Sequence, residues 1–204
     1  MKALIFALAL FACVAPAAAA PPNSVPGSGS LVFGIWRSGT RIGAHSYAFR
    51  AAGDDLIVEQ RIELAVRVAF VTLYHYTSKR LEVWRNGHIV RYESDADQAG
   101  KHSDVRGRAG ESGLRIRGSA GNRDLPADAM PFGLWNRAAL RGVPVFNADD
   151  GTPMKLDVTI VEDDMLSRYH VGGEVNYMLS YINDVLRGVS IVAPDGSTVE
   201  YVPE

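Results

Sequence analysis

The chain has 204 residues, 47% of them hydrophobic and 22% charged, with a formal net charge of -2. That size and apolar share suit one domain with its own core and exclude a disordered chain. The near-even charge balance points to no nucleic-acid partner, and the single cysteine, Cys13, excludes a disulfide framework or a Cys-rich zinc site.

The first element is an address. Lys2 precedes an unbroken apolar run over residues 3–14, followed by Pro16 and four alanines at 17–20. This is the plan of a secretory signal peptide, and the run is too short to span a membrane. Small residues at 17 and 19 place the expected cut after Ala19, giving a signal peptide over 1–19 and a periplasmic or secreted mature protein. Residues 10–13 loosely resemble a lipobox, which would make Cys13 a lipidated N-terminus; the bulk of Phe11 favours ordinary cleavage. Residues 20–30 read as a flexible lead-in rich in Pro, Gly and Ser, and 31–204 as one domain. No later stretch offers the ~20 apolar residues of a spanning helix, so no transmembrane span is expected.

From residue 31 onward the periodicity is that of strands, with no convincing helical segment. Residues 42–50 predict one strand, closed by a turn at Gly53-Asp54-Asp55. Residues 56–76 then alternate without a break. Even positions from Leu56 through Ile62, Leu64 and Phe70 to Tyr74 and Tyr76 are mainly apolar, while Glu59, Arg61, Glu63 and Arg67 lie between them. A strand puts these sets on opposite faces. The run is far longer than a usual strand of ~5–6 residues, so it predicts one long strand bent near Ala69-Phe70-Val71, as in barrels and coiled sheets.

Asn86-Gly87 is the preferred pair for a tight hairpin turn, because both positions need positive φ. A regular ladder from that turn sets Arg85 opposite His88, Trp84 opposite Ile89, Val83 opposite Val90, Glu82 opposite Arg91 and Arg80 opposite Glu93. It places the charged pairs on one face and Leu81, Val83, Val90 and Tyr92 on the other. Between 101 and 123 lie six basic residues, Lys101, Arg106, Arg108, Arg115, Arg117 and Arg123. They read as the wet face of two strands with Leu114 and Ile116 turned in, or as a patch for an acidic partner. Residues 125–140 break the pattern: two prolines and the Phe132-Gly133-Leu134-Trp135 cluster suggest a crossing loop with a short helical turn, either plugging the sheet or simply connecting it. Further strands follow over 143–146, 154–161 (Leu156, Val158 and Ile160 inward), 168–171, 174–181, 189–192 and 198–202. They are punctuated at Asp149-Asp150-Gly151, Gly172-Gly173 and Pro194-Asp195-Gly196.

The chemistry-bearing residues form no local motif. His45, His75, His88, His102 and His170 show no zinc spacing, and no nucleophile elbow occurs. The paired carboxylates Asp54-Asp55, Asp149-Asp150 and Glu162-Asp163-Asp164 sit at turns or strand ends, where Asp accepts backbone N–H bonds. Aromatics are plentiful and would either fill a curved sheet or line a pocket in it.

Several landmarks occur in order: Gly39, then Ile42-Gly43 with His45, Tyr47 and Phe49, then Glu82-x-Trp84-x-x-Gly87, Trp135-Asn136, Asp195-Gly196 and Tyr201-Val202. Together they resemble a family of exported proteins of unknown function found mainly in proteobacteria. The chain departs from that pattern at Gly133-Leu134, where a serine and an aromatic are expected. It departs again at Ser180-Tyr181-Ile182-Asn183, where Trp-Tyr-Asp is expected. The resemblance implies export and β architecture, and no reaction.

The expected architecture is all-β: a curved antiparallel meander forming a partly open β-barrel or half-barrel. Its concave face would bind an apolar or amphipathic small molecule, or an envelope protein, with His45, Tyr47, Tyr74, Tyr76, Trp84 and Trp135 as ligand-binding candidates. No catalytic residue, cofactor or metal is implied. The alternatives are an envelope interaction protein with a filled core, and a hydrolase whose histidine finds its partners from distant sequence.

Overall fold

The structure, a computed structural model, describes residues 24–204 except 69, 70, 163, 164 and 194. The expected signal peptide and Cys13 therefore lie outside the described residues. Eight strands come first: β1 (Ser30–Arg37), β2 (Thr40–Ala52), β3 (Asp55–Val68), β4 (Val71–Arg85), β5 (His88–Gln98), β6 (Lys101–Gly110), β7 (Gly113–Gly118) and β8 (Gly121–Leu125). Three two-residue strands follow, β9 (Met130–Pro131), β10 (Val145–Phe146) and β11 (Pro153–Met154), with one 3₁₀ turn at Arg137–Leu140. Five more complete the chain: β12 (Leu156–Glu162), β13 (Leu166–Gly173), β14 (Tyr177–Ile182), β15 (Val185–Val192) and β16 (Thr198–Pro203). Among the described residues no helix is long and apolar enough to cross a membrane.

Thirteen of these strands form one antiparallel sheet, ordered β12-β13-β14-β15-β16-β1-β2-β3-β4-β5-β6-β7-β8. The C-terminal strand pairs with the first, Ile35 opposite Tyr201, so the two halves of the meander join at β1 and β16. The edges, β12 and β8, do not pair with each other, so the sheet is open. It is also coiled. Tyr177 of β14 and Gln98 of β5 line one pocket, although strands seven steps apart would stand ~34 Å from each other in a flat sheet.

The alternation over 56–76 belongs to two strands, not one bent strand. β3 and β4 form a hairpin pairing Leu56 with Trp84, Gln60 with Arg80 and Val66 with Tyr74. In this register even residues face even residues, so the inward set continues through the hairpin as it would along a single strand. Parity alone could not separate the two. The expected bend at Ala69-Phe70-Val71 falls between the end of β3 and the start of β4, and Ala69 and Phe70 lie outside the described residues.

The Asn86-Gly87 turn forms as expected, with φ of 51° and 79° at its two positions. The first two pairs also hold, Arg85 with His88 and Trp84 with Ile89. A bulge then shifts the register, setting Val83 opposite Arg91, Glu82 opposite Tyr92 and Arg80 opposite Ser94. One extra residue exchanges the faces of everything beyond it. That residue is Val90 on β5, so Ile89 and Tyr92 both face inward, while unbroken alternation on β4 puts Glu82 and Arg80 on the inward face with Trp84 and leaves Leu81 and Val83 outside the core. A second correction concerns Ile160, which is 58% exposed: β12 is an edge strand, and its register with β13 shifts beside Ile160.

Gly43 shows why β1, β2 and β3 can curve so tightly. A Cβ there would stand 2.1 Å from the carbonyl oxygen of Glu63, and the β1–β2 register shifts at the same level. Only glycine permits that approach.

Inside the coil lies the segment between β8 and β12. Met130, Trp135, Leu140 and Phe146 from this insert are buried together with Phe33, Val58, Ile116 and Leu179 of the sheet. Asn136 starts the 3₁₀ turn, its Oδ1 accepting from the N–H of Ala138 at 3.0 Å. Each large apolar side chain so covered contributes roughly 1.5–3 kcal/mol. Of the two readings of residues 125–140, a plug and a simple connection, the burial of Met130, Trp135 and Leu140 favours the plug. The chain N-terminal to the sheet is anchored to it at Ser24, which is buried with its Oγ 3.4 Å from the N–H of Arg137.

Candidate functional site

Alternation on β4 sends Trp84, Glu82, Arg80, Ser78, Tyr76 and Tyr74 to the concave face. This stripe runs from a closed end of the interior to an open one.

At the closed end sits Glu82, 1% exposed. Its Oε2 accepts from the indole N–H of Trp84 at 2.8 Å and from that of Trp135 at 3.1 Å; its Oε1 accepts from the Gln60 amide. The carboxylate thus ties two sheet strands to the insert, and the two indoles pack edge to face at 5.7 Å. Burial raises the Glu82 carboxyl to about 7, against the opposing pull of the two indole N–H groups, the Arg80 charge and the Gln60 amide.

Two residues along, Arg80 makes a different arrangement. Its Nη2 donates to Asp149 Oδ1 and to the Tyr76 hydroxyl, both at 2.9 Å, and its Nε to Ser78 Oγ at 3.1 Å. Tyr76 in turn donates to Asp149 Oδ2 at 2.7 Å. Asp149 comes from the turn before β11, where Asn147 Oδ1 accepts from its N–H at 2.8 Å. The sequence reading of Asp149 as a simple turn residue is therefore incomplete: its side chain is the counter-charge of the stripe. Burial pushes the Tyr76 hydroxyl up to about 12, with Arg80 pulling the other way.

His45 on β2 is 1% exposed and stacks on Tyr47, ring centres 4.2 Å apart, with the Tyr201 ring edge-on at 5.8 Å. Burial first, then the Arg80 charge, hold its pKa well below the usual imidazole value despite the Gln60 side chain, so the ring is neutral. The Tyr47 hydroxyl lies 3.4 Å from Nδ1, while His45 Nε2 and Gln60 Oε1 complete no hydrogen bond.

These groups border a pocket of about 320 Å³ lined by His45, Tyr74, Tyr76, Arg80, Tyr177 and Tyr201, with Asp149, Phe132 and Ile191 among the other walls. Through Leu64, Tyr74, Ile191 and Tyr201 it adjoins a second space of about 400 Å³, whose further walls are the apolar Ile42, Val66, Ala193 and Val199 and the ion-paired Arg37 and Asp195. A larger depression of about 820 Å³ lies on the other side of the sheet, against Glu63, Arg67, His75 and Thr77, and is a surface trough.

The structure therefore brings three of the six candidates, His45, Tyr74 and Tyr76, to one cavity. Tyr47 stands behind His45, and Trp84 and Trp135 belong to the closed Glu82 cluster. Sequence reasoning missed Glu82, Arg80 and Asp149, and also Tyr177 and Tyr201 as lining residues. One signal was available: Glu82-x-Trp84 places a carboxylate and an indole on the same face of one strand. Among the described residues no group of three or more His, Asp, Glu or Cys could hold a metal ion. His75 faces outward and pairs with Asp97 at 2.8 Å, and His170 Nε2 lies 3.2 Å from Asn176 Oδ1. On the outer face the basic stretch forms a ladder, with Arg106 opposite Arg117 and Arg108 opposite Arg115.

An open, coiled antiparallel sheet wound around an internal insert defines a β-barrel-like domain. The chain belongs to the family described as Domain of unknown function (DUF6134), which it matches over residues 33–204. This agrees with the landmark resemblance to a family without an assigned activity. A β-barrel-like protein of domain of unknown function DUF1849 from Brucella abortus, known from a crystal structure, has a similar fold. The two share 8% identity at a TM-score of 0.56, over 86% of this chain and 94% of that one. A likeness at that identity speaks for fold alone. Comparison with curated proteins gives no match.

Proposed function

We propose that the protein is exported to the periplasm and binds an amphipathic small molecule in the concave face of its sheet. The observation that carries this reading is the pair of adjoining spaces inside the coil, polar at the Arg80–Asp149 end and mainly apolar beyond Leu64, where the Arg37–Asp195 pair forms the charged wall. Pockets of several hundred Å³ with a few convergent polar groups are the usual form of small-molecule sites. The leader over 1–19 supports the compartment.

The test is expression with the native leader, followed by N-terminal sequencing of the envelope fraction and solvent extraction of the purified protein. The expected results are a chain beginning at Ala20 and an extractable amphiphile in stoichiometric amount. A chain that keeps its leader in the cytoplasm would sink the compartment, and a protein that neither carries nor takes up any amphiphile would sink the carrier reading.

An envelope interaction protein is the second reading, favoured by the insert that fills much of the interior and by the arginine ladder on the outer face. Crosslinking in intact cells that captured no envelope neighbour would count against it. The hydrolase reading has the least support: the described ring contacts and hydrogen bond of His45 are to Tyr47 and Tyr201, neither of them a serine or carboxylate.

A further inference from the structure

The polar end of the pocket contains one full positive charge and one full negative charge, and they already face each other. Arg80 holds Asp149 at 2.9 Å, and both are held again by the Tyr76 hydroxyl. The imidazole of His45 is neutral in this setting, because burial and Arg80 both disfavour its charged form. An incoming carboxylate would have to displace Asp149 from Arg80 or lie beside it uncompensated; an incoming ammonium would meet Arg80 in the same position. Arg80's side chain is only 10% exposed, so a charged group laid against it gives up much of its water, and a buried charge without a partner keeps its desolvation penalty.

The groups left without a partner are neutral. Tyr177 and Tyr201 line the pocket with no described hydrogen bond from either hydroxyl to the protein, and the neutral ring of His45, edge-on to Tyr201, forms part of the same wall. Phenols and a neutral imidazole suit an oxygen that can both accept and donate, such as a hydroxyl, or accept alone, such as an ester carbonyl. The neighbouring walls at Ile42, Val66 and Val199 suit an alkyl chain.

Resting on the binding reading above, we infer that the occupant is an uncharged amphiphile. Its hydroxyl or ester end sits among Tyr177, Tyr201 and His45, and its aliphatic chain runs toward Ile42 and Val199. The Arg80–Asp149 pair acts as a charge filter. It keeps anionic and cationic amphiphiles out by already being neutralised from within.

The experiment is calorimetric titration of the full mature chain with three probes of equal chain length: 1-dodecanol, dodecanoate and dodecylamine. The alcohol is expected to bind at least about tenfold more tightly than either ion, the size of effect that one unpaired charge produces. Asp149→Asn frees the guanidinium and is expected to reverse the order, with dodecanoate now ahead of the alcohol. Tyr177→Phe is expected to weaken the alcohol about fivefold by removing one hydrogen bond. Dodecanoate binding as tightly as the alcohol, or an unchanged order in Asp149→Asn, would overturn the headgroup assignment while leaving the pocket reading in place. Failure of all three probes to bind would overturn the binding reading itself.

Discussion

Glu82 and Arg80 stand two residues apart on one face of β4, both drawn inside the coil, yet their surroundings differ in kind. Glu82 is enclosed by neutral donors, two indoles and an amide, and the insert is pressed directly onto it. Arg80 is matched by a single carboxylate from the insert and borders open space, its side chain 10% exposed. The first arrangement seals one end of the interior, because every oxygen of the carboxylate is used by groups that also pack. The second leaves tyrosine hydroxyls facing a cavity, because the charge is neutralised from one side only. Stability should reside at the Glu82 end and ligand binding at the Arg80 end.

The comparison is broken most directly by Trp135→Ala. It removes a fully buried side chain and one of the two indole donors to Glu82, so a loss of about 3–5 kcal/mol in urea unfolding is expected. A loss under about 1 kcal/mol would mean that the insert does not anchor the sheet.

Glu82→Gln sharpens the comparison through pH. The carboxyl titrates near 7 in the folded chain against about 4.5 unfolded, so the folded state binds the extra proton between those values. Its stabilising contribution is complete below the unfolded value and is lost as pH rises toward 7. Subtracting the variant's unfolding free energy from that of the unaltered protein should therefore give a difference that falls from pH 4.5 to 7.5, by at most about 3 kcal/mol. His45 works in the opposite sense, since its folded pKa is depressed and its contribution disappears as pH falls below the unfolded imidazole value. The subtraction leaves the His45 term common to both proteins. A flat difference would show that Glu82 is not held protonated by the fold.

The smallest effect is expected at the open end. Tyr177→Phe removes a hydroxyl with no described protein partner and should change the unfolding free energy by less than about 0.5 kcal/mol. A loss comparable to that of Trp135→Ala would erase the distinction between the two ends.

Much of the fold can be read from the sequence. The inward even positions from Leu56 onward, the Asn86-Gly87 turn, the break in the strand pattern at 125–140 and the shared face of His45, Tyr47 and Phe49 all appear in the structure. What could not be read has identifiable causes. A hairpin whose paired residues have equal parity repeats the pattern of one long strand, so β3 and β4 merged. Glu82 and Arg80 share the inward face of Trp84, where charges are ordinarily absent, and the bulge at Val90 that keeps both Ile89 and Tyr92 inward has no composition signature. Asp149 reaches the stripe from the insert, and the tyrosines of β14 and β16 reach it because the C-terminal strands return to pair with β1, contacts far apart in sequence that no local pattern encodes.

The central claim is that the space inside the coil is a ligand site and not a packing defect. It is tested most directly by native mass spectrometry of the protein purified with its leader-processed terminus, beside Ile191→Trp, which fills the region shared by the two spaces. The expected result is a non-covalent adduct on the unaltered chain, released by organic solvent, and its loss in the filled variant with the fold retained. A bare mass for the unaltered protein, unchanged after incubation with 1-dodecanol, would contradict it.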